Sequence, residues 1–153
     1  MKTVLIVTHR KGFESDPVID ALRNLKVPVF RFNCDIGDDV SMISYVLNSD
    51  ENDVFLRCDN VEINERDIGF GWCQQLPSFF NQPSSAMQCL QNGNIWQANF
   101  ASMDLLDLSW LNKPSNVIRA SNKIAQLMTA MKLGLNIPPT LVSNNPNHIR
   151  NFA

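Results

Sequence analysis

Arg119 and Lys123 are cations four residues apart, in a stretch whose apolar residues recur at helical spacing. On one continuous helix they would share a face with Gln126, opposite the apolar stripe. Like charges at this spacing repel by about 0.2–0.5 kcal/mol, so a bound anion would be a reason to keep them together. The alternative is an ordinary solvated helix face, which the spacing alone favours.

The helix that carries these cations is predicted over residues 115–133, with Gly134 as its stop. A break near Ser121 is the other reading, with Ser121 as a fresh N-cap. Lys123 would then lie in the first turn, beside unpaired backbone N–H groups and the positive end of the helix dipole. Such a position suits a phosphate group, and both arrangements stay open.

A second group of cations, His9, Arg10 and Lys11, follows the apolar run of residues 4–7. That run is typical of a strand buried on both faces of a parallel sheet. Ligands of open α/β sheets bind outside the carboxyl ends of the strands, so the loop could meet an acidic substrate. A solvated basic loop is the stronger alternative. Neither G-x-G-x-x-G nor G-x-x-x-x-G-K occurs, so the loop is not expected to cradle phosphate.

Metal and thiol chemistry find little support in the sequence. The four cysteines show no C-x-x-C spacing and are expected to be reduced, with Cys73 a packing residue rather than a nucleophile. Two histidines cannot form a zinc site without carboxylate or thiolate ligands. A short acidic turn around Gly37 lacks the ligand pattern of a calcium loop, and is interpreted as solvated: Asp35, Asp38 and Asp39.

The elements that must position these groups begin with a predicted β-α-β unit. Asp16 and Pro17 supply an N-cap and a first helical position, and residues 27–33 return as a strand. Such units place their strands in parallel, so residues 4–7 are predicted to form a central strand paired with residues 29–32.

The rest of the chain predicts a mixture of strands and helices. A hairpin is expected over residues 43–57, and a strand over 68–73 whose two glycines indicate close backbone approach or a bulge. A helix over 95–106 and a short strand at 110–112 follow. Residues 137–142 are predicted as the last strand, and Asn145 with Pro146 as the start of a further helix. No glycine stop follows, so we expect the chain to end inside an element.

Bulk composition is that of an ordinary globular protein of one domain's size: 153 residues, 44% hydrophobic and 18% charged. A net charge of −2 gives no general attraction to nucleic acid or to an anionic membrane. The apolar runs are too short to span a bilayer, and no signal peptide is recognisable. We therefore expect a cytoplasmic protein.

Motifs at both ends of the chain carry a family resemblance. The chain opens with T-V-L-I-V-T-H and continues with F-R-F-N-C-D. Near its end come a strand end, a helix and a turn into the next segment, with Asn112, Lys113 and Pro114, then Asn122 and Lys123, and then Gly134, Pro138, Pro139 and Thr140. This order resembles the ATP-grasp ligases that cyclise ribosomal peptides of the microviridin (graspetide) type.

The resemblance implies a Rossmann-like pre-ATP-grasp domain over residues 1–112, and the start of the ATP-grasp lobe over 113–153. It implies an α/β fold with a mainly parallel sheet, flanking helices and a hairpin insertion. In the full-length enzyme it implies ATP, magnesium and a precursor peptide, with Lys123, and less firmly Arg119, on nucleotide phosphate. A homodimer is left open. The glycine-rich phosphate loop and the magnesium ligands of such enzymes are missing here, so we expect an N-terminal part that is inactive alone and holds no cofactor.

Departures and rivals remain. Gln74 and Gln75 occupy positions where the resembling ligases often carry two arginines, which puts in doubt any anion contact made there. A non-catalytic Rossmann-like module that binds a peptide or a partner is one alternative. A flavodoxin-like domain is another, although the residues after the first strand make a poor phosphate loop.

Overall fold

Strands and helices follow one another in the order of an α/β protein. The computed structural model describes residues 1–34, 41–49, 52–76 and 86–152, without the side chains of residues 86–92, 95 and 96. The strands are β1 (Thr3–Thr8), β2 (Val29–Asn33), β3 (Ser41–Leu47), β4 (Asn52–Cys58), β5 (Val61–Asn64), β6 (Ile68–Cys73) and β7 (Ser109–Leu111). The helices are α1 (Asp16–Asn24), α2 (Ala86–Met103), α3 (Pro114–Ala120), α4 (Lys123–Lys132) and α5 (Pro146–Phe152). The chain divides into two units, Met1–Val117 and Ile118–Ala153, while the boundary predicted after residue 112 stays a prediction.

The first unit is built on a four-stranded parallel sheet in the order β2-β1-β6-β7. β1 lies inside the sheet and pairs in parallel with β2, so that Val4 is opposite Val29 and Val7 is opposite Phe32. This confirms the predicted central first strand and its β-α-β unit. The apolar run of β1 is buried because both faces of the strand are covered: Leu5, Ile6 and Val7 have no exposed surface.

A three-stranded antiparallel sheet, β3-β4-β5, is the second layer. β3 and β4 form the predicted hairpin, whereas β5 was not predicted. β4 alternates buried and more exposed residues, which is the pattern of a sheet with one face on the core. The two sheets and α2 contribute to one apolar cluster: Leu5, Val7, Phe30, Phe32, Val54, Leu56, Cys58, Ile68, Phe100 and Met103. The α/β fold with a parallel sheet, flanking helices and a hairpin insertion is thus confirmed.

Two helices of the first unit differ from the sequence prediction. The N-cap of α1 is Ser15, preceded by a 3₁₀ turn, and Asp16 is the first helical residue rather than the cap. The reason is that the Asp16 carboxylate pairs with Arg31 and does not cap the helix. α2 begins at Ala86, earlier than the predicted residue 95, and ends at Met103.

Gly71 confirms close backbone approach, one of the two alternatives predicted for the glycines of β6. A Cβ at this position would lie 2.7 Å from two carbons of the Trp110 ring, so no other residue fits without displacing the indole. The neighbouring strand β7 can therefore place its one large aromatic residue over the backbone of β6.

In the second unit the single predicted helix is wrong, and the alternative of a break near Ser121 is confirmed. Asn122, not Ser121, caps α4: its side chain accepts a hydrogen bond from Ala125 N at 3.1 Å. The Ser121 hydroxyl instead donates to Ile118 O at 2.7 Å and so closes α3. α4 ends at Lys132 with Leu133 as its C-cap, and Gly134 follows as the predicted stop. The φ of Gly134 is 75°, which allows Leu135 N to donate back to Ala130 O at 3.0 Å.

The strand predicted over residues 137–142 is not formed. A strand needs a partner for its backbone groups, and the described residues of this unit offer none. The predicted start of the last helix is confirmed, since the Asn145 side chain accepts a hydrogen bond from Asn147 N at 2.9 Å. Across the described part of the chain, no helix combines the length and apolar character needed to cross a membrane.

Candidate functional site

The carboxyl ends of β2, β1 and β6 lie side by side, and the winding of the chain reverses between β1 and β6. From β1 the chain crosses to β2 on one side of the sheet, whereas from β6 it crosses to β7 on the other. In open α/β sheets this topological switch point is where ligands bind. Thr8 ends β1 at this point, and Gln74 directly follows β6.

Thr8 and Gln74 are joined across the switch point. The fully buried Thr8 hydroxyl donates to Gln74 Oε1 at 2.9 Å, and Gln74 N donates to Val7 O at 2.9 Å. A glutamine therefore takes part in the contact between the two strand ends. The sequence marked this position only as a departure from two arginines.

Gly12 brings the loop after β1 back over this pair. Gly12 N donates to His9 O at 2.8 Å, which closes a tight turn. A Cβ on Gly12 would lie 2.2 Å from Thr8 Oγ1 and 3.4 Å from Gln74 Oε1. The close contact between loop and sheet edge thus requires glycine here.

Arg31 holds the same loop from the neighbouring strand. Its guanidinium is paired with the Asp16 carboxylate, and its Nη2 donates to His9 O at 3.0 Å and to Gly12 O at 3.4 Å. Its Nε donates to Asn33 Oδ1 at 2.9 Å. Five donors in a planar fork allow one arginine to satisfy several carbonyls at once. Sequence reasoning missed Arg31, because its partners are distant in the chain.

Above this base the loop presents the predicted cations. His9 is half-buried, whereas Arg10 and Lys11 are exposed. Phe13 follows them with 69% of its surface exposed, and Glu14 is exposed as well. The loop thus carries cations and an aromatic ring, and its backbone is fixed by the hydrogen bonds from Arg31.

The thiols near this edge are packing groups. Cys34 Sγ donates to Thr8 O at 2.7 Å and is fully buried. Burial, with a smaller contribution from Asp104, raises the pKa of Cys73 to about 12. A thiol that stays protonated is a poor nucleophile, which agrees with the packing role predicted for Cys73. The acidic turn at Asp35, Asp38 and Asp39 lies outside the described residues.

The second unit places Lys123 at the first position of α4, inside the first turn as the broken-helix alternative predicted. Arg119 lies in the last turn of α3, so the expected shared helix face of Arg119 and Lys123 does not exist. The two helices are separate because Asn122 has an extended backbone, with φ −69° and ψ 106°. Among the residues that the structure describes, Lys123 Nζ donates to the neighbouring Gln126 Oε1 alone, at 3.3 Å.

A cation at this end of a helix meets the positive end of the dipole, which costs about 0.3–1 kcal/mol unless an anion lies nearby. The Asn122 cap uses Ala125 N, and among the described residues no partner is found for the N–H groups of Lys123 and Ile124. An ammonium and two open N–H donors suit a phosphate. Within the described residues no group of three His, Cys, Asp or Glu could hold a metal ion, so no magnesium ligand is assigned.

The described residues thus form one α/β unit, with a parallel sheet and an antiparallel hairpin sheet, and a second unit that contains the helix capped by Asn122. No protein-family model matches the sequence, and a search of curated proteins finds no match.

Solved structures do match the chain. The macrocyclase MdnC from Microcystis aeruginosa MRC, bound with precursor peptide MdnA, superposes with a TM-score of 0.76 at 26% identity over 99% of this chain. The macrocyclase MdnB from the same organism gives a TM-score of 0.72 at 25% identity over 99%. A RiPP-associated ATP-grasp ligase of Chryseobacterium gregarium, in complex with ADP and a leader and core peptide, gives 0.70 at 26% over 99%.

This chain spans about half the length of these ligases: 50% of MdnC, 51% of MdnB and 47% of the Chryseobacterium enzyme. RiPP denotes ribosomally synthesised and post-translationally modified peptides. The chain is thus similar, over nearly its whole length, to about half the length of these RiPP ATP-grasp ligases, and its fold is that of their pre-ATP-grasp domain.

Proposed function

We propose that the chain is the N-terminal part of an ATP-dependent ligase of the microviridin type, acting on a precursor peptide. A side-chain carboxylate of the peptide attacks the γ-phosphorus of ATP, which forms an acyl phosphate and releases ADP. A hydroxyl or amine of the same peptide then attacks the acyl carbon, phosphate leaves, and an ester or amide crosslink results. The observation that supports this is the shared fold over 99% of the chain with peptide-bound ligases.

In this proposal Lys123 contacts nucleotide phosphate. Its ammonium and the open N–H groups of the first turn of α4 supply charge and donors without any rearrangement of the described residues. Arg119 stays a secondary candidate for the same phosphate, since Asn122 N donates to its carbonyl at 3.3 Å and keeps the two segments adjacent. In this proposal magnesium and ATP belong to the complete enzyme, and no described residue is assigned to the metal. Homodimerisation is not required by the proposal.

The test is Lys123→Ala in the complete enzyme, with Lys132→Ala as the matched control. Lys132 is an exposed lysine in the last turn of the same helix, where a cation is favourable. A charge-assisted phosphate contact contributes about 1.5–3 kcal/mol, so Lys123→Ala should weaken ATP binding about ten- to a hundredfold. Lys132→Ala should leave ATP affinity unchanged.

Two further readouts separate binding from stability. Lys123→Ala removes a cation from the positive end of α4, so the free energy of unfolding should stay equal or rise slightly while ATP affinity falls. Lys123→Arg should restore only part of the affinity, because a planar fork replaces a compact ammonium. Equal ATP affinity of the wild type and Lys123→Ala in calorimetric titration would remove Lys123 from the proposal.

A further inference from the structure

The switch point of the parallel sheet has polar groups that remain open to a ligand. Gln74 uses its side-chain oxygen for Thr8, and its amide N–H groups have no partner among the described residues. Nor does Lys11 make an ion pair with any residue that the structure describes. Phe13 is 69% exposed although it lies only two residues from Lys11. The loop after β1 therefore carries a cation, Lys11, and an aromatic ring, Phe13, and the residue that it contacts at the sheet edge, Gln74, carries amide donors that are free among the described residues.

This arrangement is held in place before any ligand arrives. Arg31 binds the carbonyl groups of His9 and Gly12, and Ser15 Oγ donates to Gly12 O at 2.7 Å. Gly12 lies against the Thr8–Gln74 pair with no room for a Cβ. A loop fixed in this way loses little conformational entropy on binding, which is a property of a binding surface rather than of a passive connection.

The charge of the loop sets how many acidic groups it can take. Arg10 and Lys11 are positive and Glu14 is negative, so the exposed tip carries one formal net positive charge from its Arg, Lys and Glu residues. Gln74 adds hydrogen-bond donors but no charge. One carboxylate balances this net charge, and Gln74 offers no charge to a second.

We propose that this switch-point site, formed by His9, Lys11, Phe13 and Gln74, binds a peptide segment that carries a single carboxylate beside an apolar side chain. Lys11 and His9 take the carboxylate, Phe13 packs against the apolar side chain, and the Gln74 amide donates to a peptide carbonyl. Gln74 is the specificity-determining residue, because a neutral donor there limits the site to one acidic group. The inference rests on the proposed function only in identifying the peptide with the ligase's precursor.

The test uses the 153-residue chain and three short capped peptides in a glycine–serine background. The first contains one Glu and one Phe separated by one residue, the second replaces Glu with Gln, and the third contains a second Glu. Calorimetric or anisotropy titration at low salt should show that the first peptide binds more tightly than the second by about two- to fivefold, as for an exposed ion pair. The third peptide should gain little over the first.

Variants assign the residues. Lys11→Ala should abolish the preference for Glu over Gln, whereas Lys132→Ala should keep it. Phe13→Ala should weaken both peptides, while Leu105→Ala, at an apolar residue with 81% of its surface exposed, should change neither. Gln74→Glu keeps an oxygen for the Thr8 hydroxyl but replaces the donor with a negative charge, so binding of the first peptide should fall by about tenfold. Gln74→Arg should make the third peptide the preferred ligand.

The outcomes separate this site from the proposed function. Equal affinity for the Glu and Gln peptides, or dissociation constants above about 1 mM for all three, would overturn the site. It would also fall if Gln74→Glu kept wild-type binding with an unchanged circular dichroism spectrum. Should Gln74→Glu fail to fold, the exposed Lys11→Ala variant decides alone. Loss of the Lys123 effect on ATP would remove the nucleotide proposal and leave the peptide titrations untouched.

Discussion

Replacing Gly12 with alanine tests whether the loop after β1 is held against the sheet edge as the structure shows. The φ of Gly12 is −79°, which any residue adopts, so the effect must come from contact and not from backbone strain. The new Cβ would lie 2.2 Å from Thr8 Oγ1 and 3.0 Å from His9 O. The cheapest relief is rotation of the Thr8 hydroxyl away from Gln74, which gives up their hydrogen bond.

The magnitude follows from three contributions. Overpacking of a close contact costs about 1–3 kcal/mol, and the lost hydrogen bond about 0.5–1.5 kcal/mol. A Gly→Ala change at a compatible φ also lowers the entropy of the unfolded chain, which stabilises the folded state by about 0.4–1 kcal/mol. We therefore expect the free energy of unfolding to fall by about 2 kcal/mol.

Urea unfolding followed by tryptophan fluorescence reports on the unit that contains Gly12, Met1–Val117. All three tryptophans lie in this unit: Trp72, Trp96 and Trp110. Gly93→Ala is the control: Gly93 lies inside α2 and a Cβ there meets nothing within 4 Å. A helical glycine without neighbours should gain about 0.5–1 kcal/mol on this change. The two Gly→Ala substitutions should thus have opposite signs.

A double-mutant cycle identifies the atom responsible. Thr8→Ala removes the Oγ1 atom that the new Cβ would meet, so Gly12→Ala should cost clearly less in that background. The coupling should exceed about 1 kcal/mol, well above the error for independent sites. Additive effects of the two substitutions, or a stabilising Gly12→Ala, would refute the close contact at the switch point.

Three further outcomes are expected. Arg31→Met should lower the free energy of unfolding by about 1.5–3 kcal/mol, because charge-assisted hydrogen bonds are lost. Arg23→Met is the control: Arg23 and Asp20 form a 3.6 Å pair whose side chains are about 70% exposed, so the change should be less than about 1 kcal/mol. Burial raises the pKa of Cys73 from 9.0 to about 12, so the thiol loses its proton at lower pH in the unfolded chain than in the folded protein. The free energy of unfolding should therefore fall by about 1–2 kcal/mol between pH 8 and 10.5, and the same measurement on Cys73→Ala should show a smaller fall. The 153-residue chain by itself should show no magnesium-dependent ATP turnover in a coupled assay, because its sequence contains no glycine-rich phosphate loop. ATP turnover that a single substitution in this sequence abolishes would contradict the prediction.

Local patterns predicted much of the fold. The apolar run of β1, the hairpin of β3 and β4, and the Gly134 stop of α4 each have a short-range cause, and each is confirmed. Errors arose where a distant partner decided the outcome. Asp16 would cap α1 by its sequence context, but Arg31 recruits its carboxylate from β2. Residues 137–142 have the composition of a strand, yet no neighbouring strand is present among the described residues to accept their hydrogen bonds.

The candidate site was predictable only in part, for the same reason. The cations His9, Arg10 and Lys11 could be placed at a strand end, because an apolar run directly precedes them. The contacts that fix their loop join Thr8 to Gln74, 66 positions away, and Arg31 to His9, 22 positions away. No local signal in the sequence marks such pairs. The sequence analysis noted Gln74 only because the resembling ligases often carry an arginine at this position. That observation did not predict the hydrogen bond of Gln74 with Thr8.

The two proposed ligand contacts differ in how much of their surroundings the described residues supply. α4 has no buried residue, and Met128 and Met131 are 54% and 60% exposed on an apolar groove of about 360 Å³. Short helices depend on packing for stability, and the described residues bury no residue of the helix that carries Lys123. The loop after β1 rests instead on a buried sheet edge with its hydrogen bonds already made. Peptide binding at the switch point can therefore be measured on this chain, whereas the phosphate contact proposed for Lys123 is tested in the complete enzyme that the proposal assumes.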